Sequence, residues 1–223
     1  MHSSGCSLIG IFGGTFDPVH FGHLRAAEEI GELAGLREIR FIPAGMPRLR
    51  ANPVAAVHHR VAMIQLAIEN NPRFKLDERE VQRQGTSRSV ESLREMKQEL
   101  DGVGLCFITG ADAFTKLAEW HSWRDLFQLC HFIVAARPGH ALTKSRDELP
   151  GELKEECAGR WVTSADSLRQ TPSGLIFVAP TTLLDISATT IRDRVAARKS
   201  LRYLVPDAAL NYITANHLYS EEL

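Results

Sequence analysis

The sequence predicts an α/β fold: a doubly wound, mostly parallel sheet covered by helices on both faces, with a small helical part at the C-terminal end. Three observations carry that expectation. Short apolar runs alternate with amphipathic stretches of helical period, and glycine or proline closes several of the runs. A chain of 223 residues with 44% hydrophobic side chains can also bury a core without disulfides or a structural metal. The whole of 1–223 reads as a single domain, with 186–223 as its C-terminal helical subdomain.

Residues 8–12 form an apolar run that stops at Gly13-Gly14, and a helical pattern follows over 20–34, closed by Gly35. Residues 37–42 give a second β-rich run ended by Pro43, and 58–70 a second helix with Val61, Ile64 and Ile68 on one face. Val90, Leu93, Lys97 and Leu100 mark another amphipathic helix. Residues 105–108 and 132–136 then read as buried strands separated by a helical stretch, with one more strand over 175–178. The segment 139–172, polar and irregular, reads as an excursion with some helix. Residues 188–198 and 206–217 complete the chain as two helices, with Pro206 at a first helical position. Sheets of this kind bind ligands beyond the carboxyl ends of their strands, which is where Gly13, Gly110 and Arg137 would lie.

A formal net charge of -1 argues against a general nucleic-acid-binding surface but leaves room for a local phosphate site. From Ile39 to Ile68 there is no acidic residue, while Arg40, Arg48, Arg50, Arg60, His58 and His59 fall in that window. This is either a basic site or a solvated basic loop. Cys6, Cys106, Cys130 and Cys157 are widely spaced, without a CxxC pair, and read as reduced thiols, which favours the cytoplasm. No secretory leader and no run near the ~18 apolar residues of a membrane span is expected.

The segment GGTFDPVHFGHL, Gly13 to Leu24, leads from a strand through glycines into a helix that opens with His20 and His23 one turn apart. Imidazoles at i and i+3 point the same way from a helix N-terminus, where free backbone N–H groups favour an anion, and Gly22 between them would let a ligand approach the backbone. A zinc site, two histidines satisfied by carboxyls, and a glycine turn serving only chain reversal are the alternatives. Zinc has only Asp17 as a further ligand in the motif, whereas catalytic zinc usually takes three protein ligands. In ISATTIR, Ile186 to Arg192, Ser187 precedes a helix with Thr189 and Thr190 in its first turn. Hydroxyls, backbone donors and the forked cation of Arg192 would make an anion cradle; the alternative is a plain serine cap with a surface arginine.

Together these motifs resemble those of the HxGH nucleotidyltransferase superfamily, and in particular the bacterial nicotinate-nucleotide adenylyltransferases. The resemblance runs over nearly the whole chain, through FIPAG at 41–45, HRVAM at 59–63, FITGADAF at 107–114, WHSW at 120–123, VAARPG at 134–139 and the ending YLVPDAALNYITANHLY. It implies a Rossmann-like nucleotidyltransferase fold and adenylyl transfer from ATP to nicotinate mononucleotide in NAD biosynthesis. His20, His23 and Arg192 would be the catalytic residues. ATP would also meet Gly13, Gly14, Thr15, Phe16, Gly110, Asp112, Arg137, Ile186, Ser187 and Thr189. The acceptor would meet Thr15, Arg48, Ser89, Trp120 and His121, with Trp120 stacked on the pyridine ring and Trp123 left to core packing. No protein-held metal is implied: Mg2+ would be carried by the nucleotide phosphates. No nucleic-acid or membrane partner is implied, and homo-oligomerisation is left open.

The chain departs from the family pattern twice. Met46-Pro47-Arg48-Leu49-Arg50 stands where many relatives carry a PPH-K/R loop, and Ser87-Arg88-Ser89 where many carry Ser-Tyr-Thr. Arg88 reads as a solvent-facing cation, although its charge would suit a carboxylate. The rival readings are transfer to another phosphorylated acceptor, such as nicotinamide mononucleotide or a pantetheine phosphate, and a non-catalytic nucleotide-binding protein.

Overall fold

The computed structural model of the chain describes residues 6–46, 53–136, 149–182 and 184–220. Seven strands form one sheet: β1 (Ser7–Gly14), β2 (Glu38–Pro43), β3 (Phe74–Leu76), β4 (Val103–Gly110), β5 (His131–Ala136), β6 (Trp161–Val162) and β7 (Ile176–Pro180). Their order is β3-β2-β1-β4-β5-β7-β6, and every pairing is parallel. The chain winds outward from β1 in one direction and from β4 in the other. The switch point therefore falls between β1 and β4, and sheets of this kind bind ligands in the crevice at the carboxyl ends of such strands.

Alternation along the strands divides the core. Leu8, Cys106, Ile108, Ile133 and Ala135 face one cluster, while Ile9, Ile11, Leu105, Phe107, Phe132 and Val134 face the other. The first face is covered by α1 (Phe21–Leu33) and α2 (Val57–Ile68), together with α8 (Ala188–Ala196) and α9 (Asp207–Ala215). The second is covered by α4 (Ser89–Glu99), α5 (Ala111–Phe114), α6 (Trp123–Leu129) and α7 (Gly151–Cys157); α3 (Arg79–Gln82) precedes α4. Both faces being buried explains why these strands read as continuous apolar runs.

Most elements fall where periodicity puts them, with local differences. Gly13 and Gly14 lie inside β1, paired with Ile42 and Pro43, so the turn begins at Thr15. α2 buries Arg60, Met63, Ile64 and Ile68, with Val61 only half-buried. α4 buries Met96 where Lys97 was expected, and Leu100 is its C-cap. Pro206 is the N-cap of α9, one position before the first helical residue. The excursion after β5 contains α7, the two-residue edge strand β6 and a 3-10 turn over Ala165–Arg169. Among the described residues no helix is long and apolar enough to cross a membrane. Cys106, Cys130 and Cys157 are buried free thiols, and burial pushes their pKa values up, to about 12 for Cys106 and Cys157.

Trp123 opens α6 at 7% exposure, its ring 6.4 Å from that of Phe127 and nearly perpendicular to it. Trp123→Ala should therefore lower unfolding free energy by about 3 kcal/mol, the cost of a cavity left by a large aromatic side chain. A urea titration with an unchanged midpoint would show that this ring is dispensable to the core.

Candidate active site

The site grows from the turn between β1 and α1. Phe16 has φ +50, a left-handed conformation uncommon for a bulky residue, and its ring packs over Gly14 and against Phe12 and His23. A Cβ on Gly14 would stand 3.0 Å from Cζ of Phe16, so glycine there makes room for the folded-back ring. The Phe16 side chain thus belongs to the core, which leaves only its backbone for the nucleotide contact expected of it.

His20 is the N-cap of α1, with extended backbone, and its N–H donates to Nδ1 of His23 at 3.3 Å. That bond makes Nδ1 of His23 an acceptor and puts the proton of a neutral ring on Nε2. The two imidazoles stack, with centroids 3.7 Å apart and 28° between planes. His20 is 5% exposed, its Nδ1 is buried without a partner, and loss of hydration lowers its pKa to about 4. In the free protein at neutral pH it is a neutral ring with an unmet polar atom, and the carboxyl-satisfied reading does not hold for it.

The donors at the N-terminus of α1 are mostly committed. Phe21 N–H donates to the Leu204 carbonyl at 3.0 Å and His23 N–H to the His20 carbonyl at 2.9 Å, which leaves Gly22 N–H without a partner among the described residues. The space over Gly22 is filled by the protein itself. A Cβ there would lie 3.0 Å from Nδ1 of His20 and 3.4 Å from the Ile186 carbonyl oxygen. Glycine at this position brings α1 against the approach to α8 on its Cβ side, while its N–H stays open among the described residues.

α8 supplies the second N-terminus. Ser187 caps it, its Oγ accepting from Thr190 N–H at 3.1 Å, while Ile191 N–H donates to the Ser187 carbonyl. The N–H groups of Ala188 and Thr189 have no partner among the described residues, so two donors stay open at the positive end of the helix. Arg192 donates from Nη1 to the Asp17 carbonyl at 2.8 Å and from Nη2 to Oγ1 of Thr189 at 3.2 Å. The two motifs, far apart in sequence, thus form one constellation.

Two supports of the site have no local signature in the sequence. Asp17, 5% exposed, accepts from Val54 N–H at 2.7 Å, from Ala55 N–H at 3.1 Å and from the Tyr219 hydroxyl at 2.8 Å. Arg60 is 1% exposed and donates to the carbonyls of Thr15 at 2.8 Å and Gly45 at 3.3 Å. It is therefore a buried brace and does not belong to a basic surface. Arg40 is likewise engaged, with Glu38 at 2.7 Å and Asp77 at 3.5 Å. The expected basic window does not survive as a phosphate patch at these two positions; Arg48 and Arg50 lie outside the described residues.

Across the switch point, Gly110 caps α5 and is exposed at the end of β4, as is Asp112 in the first turn of α5. Phe107 links the two sides, lying 3.5 Å from the Cβ position of Gly13 and 5.6 Å, edge to face, from the ring of Trp120. Trp120 is half-buried and His121 exposed, so the two tryptophans differ in burial as expected. Ser87 Oγ accepts from Gly45 N–H at 2.9 Å, which brings Ser87–Ser89 beside the loop after β2. Ser89 opens α4, half-buried. Arg88 keeps 38% of its side-chain surface exposed, in line with the solvent-facing cation expected, and pairs with Glu91 at 3.2 Å. Arg137 follows β5 directly but lies, like Arg48, outside the described residues.

A doubly wound parallel sheet with two helix N-termini brought together beside its switch point is the architecture of a nucleotidyltransferase, and the cytidylyltransferase-like family matches residues 11–194. A probable nicotinate-nucleotide adenylyltransferase of Acidithiobacillus ferrooxidans is 40% identical over 98% of this chain and 99% of its own. One of Dechloromonas aromatica is 45% identical over 95% and 97%. The solved Plasmodium falciparum nicotinic acid mononucleotide adenylyltransferase complexed with NaAD shares the fold, with TM-score 0.69 at 18% identity over 96% of this chain and 97% of that one. The chain belongs to the cytidylyltransferase-like family and, within it, to the nicotinate-nucleotide adenylyltransferases.

Burial of neutral histidine makes stability pH-dependent. His131, fully buried, accepts from Leu175 N–H on Nδ1 and faces the Thr171 carbonyl through Nε2, so both ring nitrogens are satisfied only when the ring is neutral; burial lowers its pKa to about 4, as for His20. The unfolded chain takes up these protons near pH 6.5 and the folded one only near 4. Their stabilising contribution, about 3 kcal/mol each, is present above pH 6.5 and is lost as pH falls toward 4. Urea midpoints of the ligand-free protein should fall across that window, and His20→Gln should flatten the slope by roughly half. A midpoint unchanged between those pH values would contradict neutral burial of both rings.

Proposed function

We propose that the protein transfers the adenylyl group of ATP to nicotinate mononucleotide, giving nicotinate adenine dinucleotide and pyrophosphate, in the cytoplasm. The observation that carries this is the constellation of open N–H groups on Gly22, Ala188 and Thr189 with Arg192 and the stacked histidines. All of these are electrostatic parts suited to phosphate oxygens. The attacking group is the acceptor's own phosphate, ionised near neutral pH with a second pKa of about 6, so no general base is needed. The enzyme's task is to align that oxygen with the α-phosphorus and stabilise charge on the departing pyrophosphate.

In this reading α8, Ser187, Thr189 and Arg192 hold the β- and γ-phosphates, and His20 and His23 donate hydrogen bonds around the reacting phosphates. Gly13, Gly14, Thr15, the Phe16 backbone and Ile186 line the nucleotide, and Gly110 with Asp112 meets its ribose. Trp120 and His121 border the pyridine ring, with Ser89 and Thr15 nearby; Arg48 and Arg137 add cations. ATP enters as its magnesium complex. Asp17, the carboxylate of the first motif, is spent on internal hydrogen bonds, and among the described residues no group of three or more His, Cys, Asp or Glu could hold a metal. Phosphate and water oxygens suit Mg2+ as its ligands here.

Discrimination between acid and amide acceptors tests the reading directly. A pocket of N–H donors favours a carboxylate and sets N–H against N–H in an amide, so kcat/KM for the acid should exceed that for the amide at least about tenfold, or roughly 1.4 kcal/mol. Equal values would remove the acceptor assignment while leaving adenylyl transfer in place.

His20→Ala and His23→Ala should each lower kcat on the order of 10²-fold with little change in melting temperature. Near-normal turnover in either variant would take that histidine out of catalysis. Trp120→Ala should raise the acceptor KM and leave the ATP KM nearly unchanged, because it removes a stacking surface for one substrate only. A change confined to ATP would reassign the ring.

A further inference from the structure

The chain after α9 returns to the first motif. Helix α9 ends in a Schellman arrangement: Leu218 N–H donates to the Ile213 carbonyl at 3.0 Å and His217 N–H to the Thr214 carbonyl at 3.3 Å, with His217 at φ +49. Leu218 packs on the same core as Ile213, as such a reversal requires, and the following residue is laid against the β1–α1 turn. There the Tyr219 hydroxyl donates to Oδ1 of Asp17 at 2.8 Å.

We infer that Tyr219 is a positioning residue for nucleotide binding: by holding the Asp17 carboxylate it keeps Arg192 available to the triphosphate. The inference rests on the role given to Arg192 above. Asp17 and Arg192 are poised for a close ion pair that is not made. Nη1 of Arg192 sits 2.8 Å from the Asp17 carbonyl oxygen but 3.9 Å from its Oδ2. Oδ2 is drawn off by Val54 N–H and Oδ1 by Ala55 N–H and Tyr219. Without the phenol, one oxygen keeps a single backbone donor, and the carboxylate can turn toward the guanidinium. A buried bidentate pair would then compete with ATP for Arg192. Burial and the neighbouring Asp17 charge push the phenol's pKa up, so the hydroxyl remains a donor throughout the working pH range.

Calorimetric titration with ATP and magnesium tests this on four proteins: the parent, Tyr219→Phe, Arg192→Ala and the double variant. Tyr219→Phe keeps the ring and its packing. It should weaken ATP binding about five- to tenfold, the range expected for one hydrogen bond acting through a charged partner. In the Arg192→Ala background the same change should cost less than about twofold, because the residue it acts through is gone. Tyr212→Phe serves as control: it removes the 3.0 Å contact between its hydroxyl and His59 Nδ1, at the packing of α9 on α2, and should leave ATP affinity unchanged while lowering the melting temperature comparably. Parent-like affinity in Tyr219→Phe, an equal factor in both backgrounds, or an equal loss in Tyr212→Phe would overturn the coupling alone. Parent-like affinity in Arg192→Ala would overturn the coupling together with the role of Arg192.

Discussion

Two guanidinium groups hold the turn between β1 and α1, and the rest of the site depends on them. Thr15 to His20 has no regular hydrogen-bond ladder of its own, yet it must hold two imidazoles in a stack and end at a helix N-terminus. Arg60 takes the Thr15 carbonyl and Arg192 the Asp17 carbonyl, so carbonyls flanking Phe16 are tied to α2 and α8. Burying Arg60 costs desolvation that its two carbonyl bonds and the nearby Asp17 charge must offset. Lysine would be a poorer replacement, since its point-charge ammonium lacks the planar fork that spans the two carbonyls. Removing either guanidinium would leave carbonyl oxygens of the turn without their donors.

The electrostatic state of the free site follows from this bracing. Among the described residues Arg60 and Arg192 are engaged by protein oxygens and His20 is neutral, so this part of the site presents oriented N–H dipoles beside held guanidinium groups. Such donors need little reorganisation when charge develops on a leaving pyrophosphate. The unpaired Nδ1 of His20 belongs to the same logic: a buried polar atom left unsatisfied costs stability, and such costs gather where a ligand is to supply the missing partner.

Local patterns in the sequence were enough for the parallel sheet, the helix order and the two helix N-termini, because period and capping chemistry depend on neighbouring residues. Ser187 is an example: its position before Thr189 and Thr190 announces a cap, and the hydroxyl does bond Thr190 N–H. The residues that hold the site together were not legible. Arg60 meets Thr15 across 45 positions, Arg192 meets Asp17 across 175, and Tyr219 meets Asp17 across 202. None of these pairs has a local signature, and Arg60 in particular reads as one more charge in a basic window. Strands β3 and β6, of three and two residues, are too short for any alternation to appear. The reach of Phe16 back over Gly14 hides for a different reason, since a left-handed aromatic is the choice sequence statistics least anticipate.

The loop after β2 is tied to the start of α4 by main chain more than by side chains. Gly45 N–H donates to Ser87 Oγ, Ser87 N–H donates to the Met46 carbonyl, and a Cβ on Gly45 would stand 2.5 Å from the Glu80 carbonyl oxygen. Glu80 is itself buried and bonded to Ser92 Oγ at 2.9 Å, and its pKa is raised by burial, so α3 and α4 are locked together behind the loop. Arg88, the residue that departs from the family's tripeptide, turns to Glu91 and leaves these contacts alone. Side-chain identity at that position can therefore vary without moving the backbone after β2. The departure from the commoner tripeptide therefore leaves the tie between Gly45 and Ser87 intact, because that tie uses only the glycine N–H, the serine hydroxyl and main chain.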